Sequence, residues 1–359
     1  TILFSGIFQP ITLILARFKN AYLREIKFKN VNFSNAKFER AYFWYSEFEE
    51  ANFFMTEFKR ASFWNSSFGK VDFSETEFGE ADFRSVTFGK VNFVNCKFEK
   101  ADFRGAKFLT PPCFHQTFFS HSWFSGAKWP KKDKKKRIES YMLFGEWLAR
   151  DWLATKEEER ESKIMFYGGP IAEYYELRKW LEDIKYITNE KERKIKLYKS
   201  IAELYEHARV EYHGLRMRLE NEGLSEAGEF FYREKYCEKK KMWYQTKAER
   251  SIRAFLSFLE LSALDLMCGF GERPFRLIGC TLLSVVLLTF SMCIWGFPAK
   301  SLDFSEAFYV ILSSISGLGP VENIELTPIG KWISVIASYT GYILLTMFLV
   351  LFLRKIERK

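Results

Sequence analysis

The sequence has few of the residues from which metal sites, disulfide scaffolds and enzymes are built. It holds only four histidines and six cysteines among 359 residues. The cysteines show neither CxxC nor Cys/His spacing, which argues against zinc sites and disulfides and favours reduced thiols. His115 and His121 stand among aromatic residues without a nearby carboxylate, so we expect them to be packing residues. No phosphate loop or GxGxxG motif is present. The sequence therefore predicts no cofactor and no enzymatic activity.

A strongly acidic balance is missing as well. The chain carries a net charge of +9, which by itself would fit nucleic acid or anionic lipid as a partner. Its length allows about two or three domains. Thr1–Leu15 is apolar but lacks a basic start, so no cleavable signal peptide is predicted.

Two uncharged apolar runs near the C-terminus are long enough to cross a membrane as helices. They are Leu277–Phe297 and Trp332–Leu353, and each slightly exceeds the roughly 20 residues that a transmembrane helix needs. Between them, Asp303 and Glu306 form a capping-box-like start, and apolar residues with helical spacing follow. The sequence predicts a short helix over residues 303–314 that re-enters the membrane without crossing it.

Two glycines end this short helix. Gly317 and Gly319 predict irregular backbone at membrane depth, which is tolerated only inside protein or beside a water-filled cavity. The sequence therefore predicts a pore.

Residues 276–359 resemble the two-helix pore module of potassium channels. Aligned on the two glycines, the filter sequence Thr-Val-Gly-Tyr-Gly-Asp of that family falls on residues 315–320. The resemblance implies a filter formed by Ile315, Ser316, Gly317, Leu318 and Gly319. It implies a pore helix that includes Phe308, Leu312, Ser313 and Ser314. Because one chain supplies a single filter strand, a ring of carbonyl groups requires several copies, and we expect a homotetramer.

The filter residues depart from the family at three positions. Ile315 lacks the coordinating hydroxyl, Leu318 lacks the bracing phenol, and Pro320 replaces an aspartate. The permeant ion is expected to be K⁺ with only modest preference over Na⁺. A two-helix membrane anchor with a glycine turn is the alternative.

The flanking charges predict the orientation of the spans. Arg273 and Arg276 precede the first span, and a basic tail follows the second from Arg354 onward. Basic residues accumulate on the cytoplasmic side, so we expect a multi-pass protein of the cell membrane with both termini cytoplasmic. Glu322 and Glu325 would then lie at the outer pore mouth, where they concentrate cations or serve only as solvated residues.

The inner helix contains one mid-membrane glycine. Gly341 is a candidate gating hinge, and close helix packing is the alternative.

A period of five residues dominates the N-terminal part. From Phe18 to Phe108 every fifth residue is Phe, with Leu23 as the sole exception, and a small or β-branched residue lies two positions before each. This pattern fits neither a helix nor a simple strand. It resembles the pentapeptide-repeat family, which implies a right-handed quadrilateral β-helix with a phenylalanine core. Basic residues outnumber acidic ones along it, so acidic DNA mimicry is not expected.

Aromatic residues also occupy outward positions of this predicted β-helix. Trp44, Tyr45, Phe54 and Trp64 are the candidates for an interface with another domain or subunit. Chance exposure is the alternative.

Two segments connect the repeats with the spans. Amphipathic patterns predict a helical cytoplasmic domain over residues 138–250. Ile252–Cys268 is apolar but contains Arg253, Glu260 and Asp265, so we expect it to lie along the membrane surface.

A basic run precedes the helical domain. Its residues are Lys131, Lys132, Lys134, Lys135, Lys136 and Arg137. The run is either a solvated linker or a contact for anionic lipid headgroups; nucleic acid is not expected as a partner.

The fold class predicted is thus a composite of β-helix, α-helical domain and two-helix pore domain. The boundaries are an N-terminal cap (1–15), the repeats (16–110), a basic linker (111–137), the helical domain (138–250), an interfacial helix and linker (251–275) and the pore domain (276–359). The function predicted is a cation channel with a cytoplasmic body that assembles or regulates it. A membrane-anchored scaffold with a vestigial pore and a poorly selective stress-gated conductance are the alternatives.

Overall fold

The computed structural model describes residues 6–8, 10–132, 142–155, 179–180, 183–184, 187–273, 275–298, 304–317 and 324–357. The chain divides into two compact units, Thr1–Leu259 and Glu260–Lys359. The predicted basic-run residues Lys134, Lys135, Lys136 and Arg137 lie outside the described residues. So do the predicted filter residues Leu318 and Gly319 and the predicted mouth residue Glu322.

The first unit begins with a parallel β-solenoid. Its strands are β1 (Gly6–Phe8), β2 (Ile11–Thr12), β3 (Ile26–Phe28), β4 (Val31–Asn32), β5 (Glu47–Asn52), β6 (Glu57–Lys59), β7 (Ser67–Asp72), β8 (Glu77–Gly79), β9 (Thr87–Asn92), β10 (Lys97–Glu99), β11 (Lys107–Phe108) and β12 (Phe118–Ser120). Strands pair in parallel register, as in Phe48 with Phe68 and Phe68 with Phe88. One coil therefore spans four pentapeptides.

Stacked phenylalanine rings form the solenoid core. The Phe58 and Phe78 rings stack with centroids 5.3 Å apart, and Phe58 meets Phe63 edge-on at 5.0 Å. Both arrangements are favoured by the aromatic quadrupole. Hydroxyl groups of the small inward residues satisfy backbone carbonyls, as where Thr76 Oγ1 donates to the Phe53 carbonyl at 2.7 Å. The core is thus apolar without leaving these hydroxyls unbonded.

The solenoid extends beyond both predicted boundaries. Phe114 stacks on Phe93 at 5.4 Å and Trp129 on Phe108 at 5.0 Å, which places a further coil after the predicted end at residue 110. The spacing there is 21 residues instead of 20, because Pro111-Pro112 adds one residue at a corner. At the other end, β1 and β2 pair with β3 and β4, so these two strands of the predicted cap belong to the solenoid.

Most corners of the solenoid require a residue with left-handed backbone. Positive φ recurs at every fifth residue, from Leu15 to Lys100, with few exceptions. The exceptions include residues 50, 70 and 90, where β5, β7 and β9 run straight through the corner. In β7 and β9 a glycine precedes this corner, and a Cβ at Gly69 would lie 2.6 Å from the Glu49 carbonyl oxygen.

We expect glycine substitution to have opposite effects at two exposed lysines of the solenoid. Lys100 has φ 53°, so Lys100→Gly removes a left-handed strain of about 1 kcal/mol. Lys70 lies inside β7, where glycine costs roughly 0.5–1 kcal/mol. Both substitutions raise the conformational entropy of the unfolded chain equally. Lys100→Gly should therefore be the more stable variant by about 1 kcal/mol or more in denaturant unfolding. Equal stabilities would contradict the assignment of the corners.

Among the described residues, three complete helices lie wholly within the first unit. They are α1 (Phe144–Ala154), α2 (Glu190–Asn221) and α3 (Ala227–Glu249). α2 and α3 form a helical hairpin, and Tyr212 meets Phe230 across it at 6.1 Å. Glu146 is fully buried and is bonded by Tyr212 Oη at 2.6 Å, Arg150 at 2.6 Å and Arg233 at 3.1 Å. Burial and this carboxylate raise the pKa of Tyr212 well above its usual range.

The helices cover the C-terminal end of the solenoid. The Phe124 amide donates to the Glu222 carboxylate at 2.9 Å, and the Trp129 ring meets Phe230 edge-on at 4.7 Å. The buried His115 ring lies 4.7 Å from the His207 ring of α2. His115 is therefore a packing residue. A solenoid needs such coverage because its last coil otherwise exposes its core to solvent.

We expect acid to weaken this junction through His115. Burial and the neighbouring His207 lower the pKa of His115 to about 3. The unfolded chain, with a pKa near 6.5, then binds more protons, so stability is complete above pH 6.5 and falls as the pH drops toward 3. At pH 5 the loss is about 2 kcal/mol. Denaturant unfolding at pH 7.5 and pH 5 measures it. His115→Gln should reduce the difference in unfolding free energy between pH 7.5 and pH 5, whereas His121→Gln, at an exposed position, should leave it unchanged. An unchanged difference in His115→Gln would contradict the assignment.

The C-terminal part is made of apolar helices. They are α4 (Ile252–Cys268), continued by a 3-10 turn (Gly269–Gly271), then α5 (Phe275–Trp295), α6 (Phe304–Ile315) and α7 (Pro328–Glu357). Three segments, Ile252–Gly271, Phe275–Trp295 and Pro328–Leu353, are long and apolar enough to cross a membrane. This is one more than the two spans predicted. The placement of α4 along the membrane surface stays a prediction.

Candidate functional site

The short helix α6 packs between α5 and α7. Its Ala307, Val310 and Ile311 are buried. They share one core with residues of both long helices, which are Val285, Met292, Ile333 and Ala337. Twelve residues make a helix of about 18 Å, well short of the roughly 30 Å hydrocarbon thickness. This helix is therefore too short to cross a bilayer by itself.

A line of hydroxyl groups joins α6 to α7. Ser314 Oγ and Ser334 Oγ are 2.6 Å apart, and Ser313 and Ser314 also donate to the Val310 carbonyl at 2.9 and 2.7 Å. The structure thus brings the predicted pore-helix residues Ser313 and Ser314 into the buried face. The other two, Phe308 and Leu312, are exposed.

The chain leaves the helical conformation just after α6. The Ser316 amide still donates to the Leu312 carbonyl at 3.0 Å, and the Gly317 amide donates to Ser314 at 3.2 Å. Gly317 has φ 76°, a left-handed conformation that favours glycine. A Cβ at this position would lie 3.5 Å from Tyr342 Oη. Tyr342 is therefore a neighbour of the predicted filter that sequence reasoning missed.

Gly341 lies where α7 approaches the end of α6 most closely. A Cβ at Gly341 would collide with the Ile315 carbonyl oxygen. This contact gives the close-packing alternative a geometric basis, because only glycine lets the two backbones come this near. The role of Gly341 as a gating hinge stays a prediction.

Thr327 links the end of α5 to the start of α7. Its hydroxyl donates to the Trp295 carbonyl at 2.6 Å, and its amide donates to the Gly296 carbonyl at 2.9 Å. Gly330 donates to Thr327 Oγ1 at 3.0 Å, and a Cβ on Gly330 would collide with the Gly296 carbonyl oxygen. The predicted mouth residue Glu325, two positions before Thr327, is exposed.

Large apolar side chains of these helices are exposed in the single chain. On α6 they are Phe304, Phe308, Tyr309 and Leu312; on α5 and α7 they include Leu282, Leu283, Leu287, Phe290, Tyr339, Tyr342 and Ile343. Surfaces of this extent require an apolar environment, either lipid or further copies of the chain. In the described part of the chain no cluster of three His, Cys, Asp or Glu side chains could hold a metal ion.

The predicted aromatic interface divides between two faces of the solenoid. Trp44 meets Trp64 at 6.3 Å, Tyr45 meets Trp64 at 5.0 Å, and Trp44 Nε1 donates to Ser62 Oγ at 2.7 Å. Phe54 is ten residues from both tryptophans, which is half a coil, so it lies on the opposite face. Tyr45 and Trp64 are exposed, whereas Trp44 and Phe54 are half-buried.

Only the start of the predicted basic run is described. Lys131 and Lys132 are exposed and follow the last coil of the solenoid without regular structure. Their contact with anionic lipid stays a prediction.

Solved structures similar to this chain include two described as pentapeptide-repeat proteins, HetL and a plant protein. HetL from the cyanobacterium Nostoc, involved in heterocyst differentiation regulation, is 12% identical with a TM-score of 0.24, and the match covers 35% of this chain and 61% of HetL, less than two thirds of its length. QnrB1, a plasmid-mediated fluoroquinolone resistance protein, is 17% identical with a TM-score of 0.25, covering 39% and 89%. A protein of the Arabidopsis thaliana thylakoid lumen is 21% identical with a TM-score of 0.15, covering 40% and 77%.

Two family models match the N-terminal part of the chain. The first, described as pentapeptide repeats (9 copies), matches residues 15–57, and the second, pentapeptide repeats (8 copies), matches residues 56–93 and 76–108. No curated protein matches the chain. Residues 15–108 are therefore a pentapeptide-repeat region.

Proposed function

We propose that this protein is a homotetrameric cation channel of the cell membrane, with a potassium-channel-like pore and a cytoplasmic body of solenoid and helices. The observation that carries the proposal is the position of α6, packed between α5 and α7. A helix too short to span lies packed between two apolar helices and ends at a left-handed glycine, Gly317. A membrane anchor needs only the two long helices.

The C-terminal end of α6 would attract a cation electrostatically. The C-terminal end of a helix carries a partial negative charge from its unpaired carbonyl groups. In the proposed tetramer four such ends point toward one axis, and the backbone of Ile315, Ser316 and Gly317 continues toward it. The close contact of Gly341 with the Ile315 carbonyl supports the position of this segment from behind.

Oligomerisation follows from the same proposal. A filter needs converging carbonyl groups from several chains. The exposed Phe308 and Leu312 on α6 and Tyr339 and Tyr342 on α7 offer apolar surface for neighbouring copies. The remaining exposed residues of α5 and α7 would face lipid. In this arrangement α4 lies along the inner membrane surface and both termini are cytoplasmic.

The side chains of the filter argue for modest selectivity. Ile315 has no hydroxyl, so the filter loses one ring of oxygen ligands, and Leu318 cannot donate a bracing hydrogen bond. A vestigial pore in a membrane-anchored scaffold is the competing function, and it predicts no current at all.

Recordings from purified protein in planar bilayers test conduction and selectivity together. In asymmetric K⁺ and Na⁺ we expect cation currents with K⁺ favoured by about tenfold or less. Ile315→Thr combined with Leu318→Tyr should restore oxygen ligands and bracing, and so raise the K⁺ preference. The matched control, Ile324→Thr, changes an apolar residue outside the filter and should leave the reversal potential unaltered. Absence of current in every variant would contradict the channel and favour the scaffold.

We expect Gly341→Ala to destabilise the membrane helices and reduce current. The new methyl group collides with the Ile315 carbonyl, and such overpacking costs about 1–3 kcal/mol. Gly279→Ala is the matched control, because a Cβ at that glycine of α5 meets nothing within 4 Å. Thermal unfolding in detergent and single-channel recording measure the two effects. Equal behaviour of the two variants would contradict a tight contact at the end of α6.

A further inference from the structure

A basic cleft lies where α2 begins and α3 ends. It has a volume of about 520 Å³ and is open to solvent. Its lining residues are Asn189, Glu190, Lys191, Lys194, Ile195, Tyr198, Lys247 and Arg250. Four cationic side chains thus face a single carboxylate, in a volume typical of small-molecule sites.

Aromatic rings fix one of the cations. The Lys247 ammonium lies 4.6 Å from the Trp243 ring centroid, 5.4 Å from Tyr198 and 5.7 Å from Tyr244. Cation–π attraction to three rings holds the side chain in place while leaving it charged. Lys247 is nevertheless exposed, so its ammonium protons remain accessible to a ligand in the cleft.

The backbone places the other cations around the same opening. Arg250 ends α3 in a left-handed conformation, with φ 52° and its amide bonded to the Thr246 carbonyl at 2.9 Å. Lys191 and Lys194 lie one turn apart at the start of α2, where Asn189 caps the Lys191 amide at 2.9 Å. The positive end of this 32-residue helix adds to the field of the side chains.

One carboxylate opposes this charge. Glu190 Oε1 lies 2.5 Å from Lys194 Nζ, and both groups are exposed. An anion with two charges would outcompete this single surface pair, because exposed pairs contribute little.

We propose that the cleft binds a phosphomonoester dianion, supplied by a lipid headgroup or by a soluble phosphate ester. Phosphate oxygens accept charge-assisted hydrogen bonds from lysine and arginine together, which a single carboxylate ligand would not saturate. The apolar helix α4 follows the cleft residue Arg250 directly in the sequence. Ile252, two residues after Arg250, begins α4 with exposed Ile252, Phe255 and Leu256. This inference is independent of the proposed conduction.

The test uses the full-length protein in a neutral detergent and titration calorimetry with two phosphomonoesters, dioctanoyl phosphatidate and glycerol phosphate. The cleft variant combines Lys191→Gln, Lys247→Gln and Arg250→Gln. The control variant removes the same charge from exposed solenoid residues through Lys59→Gln, Lys100→Gln and Lys128→Gln. We expect the cleft variant to bind about tenfold more weakly or worse, and the control to change by less than about twofold.

A variant that is expected to bind more tightly separates loss of the site from misfolding of the triple variant. Glu190→Gln removes the opposing carboxylate and should strengthen binding by about twofold to fivefold. Tighter binding of phosphatidate than of glycerol phosphate assigns the site to lipid, and equal binding assigns it to a soluble ester; both support the cleft. No binding of any probe, or equal losses in the cleft and control variants, would overturn it.

Discussion

Ring stacking at the strand spacing is the constraint on which the N-terminal body depends. Phenylalanines one coil apart stack at 4.7–5.5 Å, close to the distance between hydrogen-bonded strands. Every coil must therefore present its large residue at the same place, whereas its outward residues are free to vary. This explains why the one additional residue of the last coil lies at a corner, at Pro111-Pro112, and leaves the stacked rings in place. The ladder itself continues through Phe114 to Trp129.

A column of stacked rings must end somewhere, and the helices supply that end. Phe230 covers Trp129, Glu222 accepts the Phe124 amide, and Arg218 donates to the Ser122 carbonyl. The helices are in turn held by the buried Glu146, which is bonded by two arginines and a tyrosine. Removing both arginines would leave the buried Glu146 carboxylate without a compensating charge, which is strongly destabilising. The solenoid and the helical hairpin thus pack together within one compact unit.

The sequence predicts those features that are repeated or local. The phenylalanine period predicts the solenoid, because the same core position recurs in every coil and requires the same large apolar residue. The helical character of α2 is predictable from its amphipathic pattern, which is local in the sequence. Features made by distant residues are not predictable this way. The approach of Gly341 to Ile315, the position of Tyr342 beside Gly317 and the basic cleft all join residues whose separation in sequence carries no pattern. Phe54 shares with Trp44 and Trp64 the outward position after a core phenylalanine, but half a coil separates it from both.

Whether the chain has two or three membrane spans depends on where the charged residues of α4 would lie relative to the hydrocarbon core. Asp265 is paired with Arg276 of α5 at 3.3 Å, so this carboxylate is compensated within the C-terminal unit. Arg253 and Glu260 are exposed, and seven residues, about two helical turns, separate them on one face of α4. A crossing helix would place at least one of them deep in hydrocarbon, at a cost of several kcal/mol. A helix on the surface keeps both in water and buries Ile252, Phe255 and Leu256 at the headgroup boundary. Length and hydropathy alone would let α4 cross a membrane, but its charged residues Arg253 and Glu260 favour a position along the membrane surface.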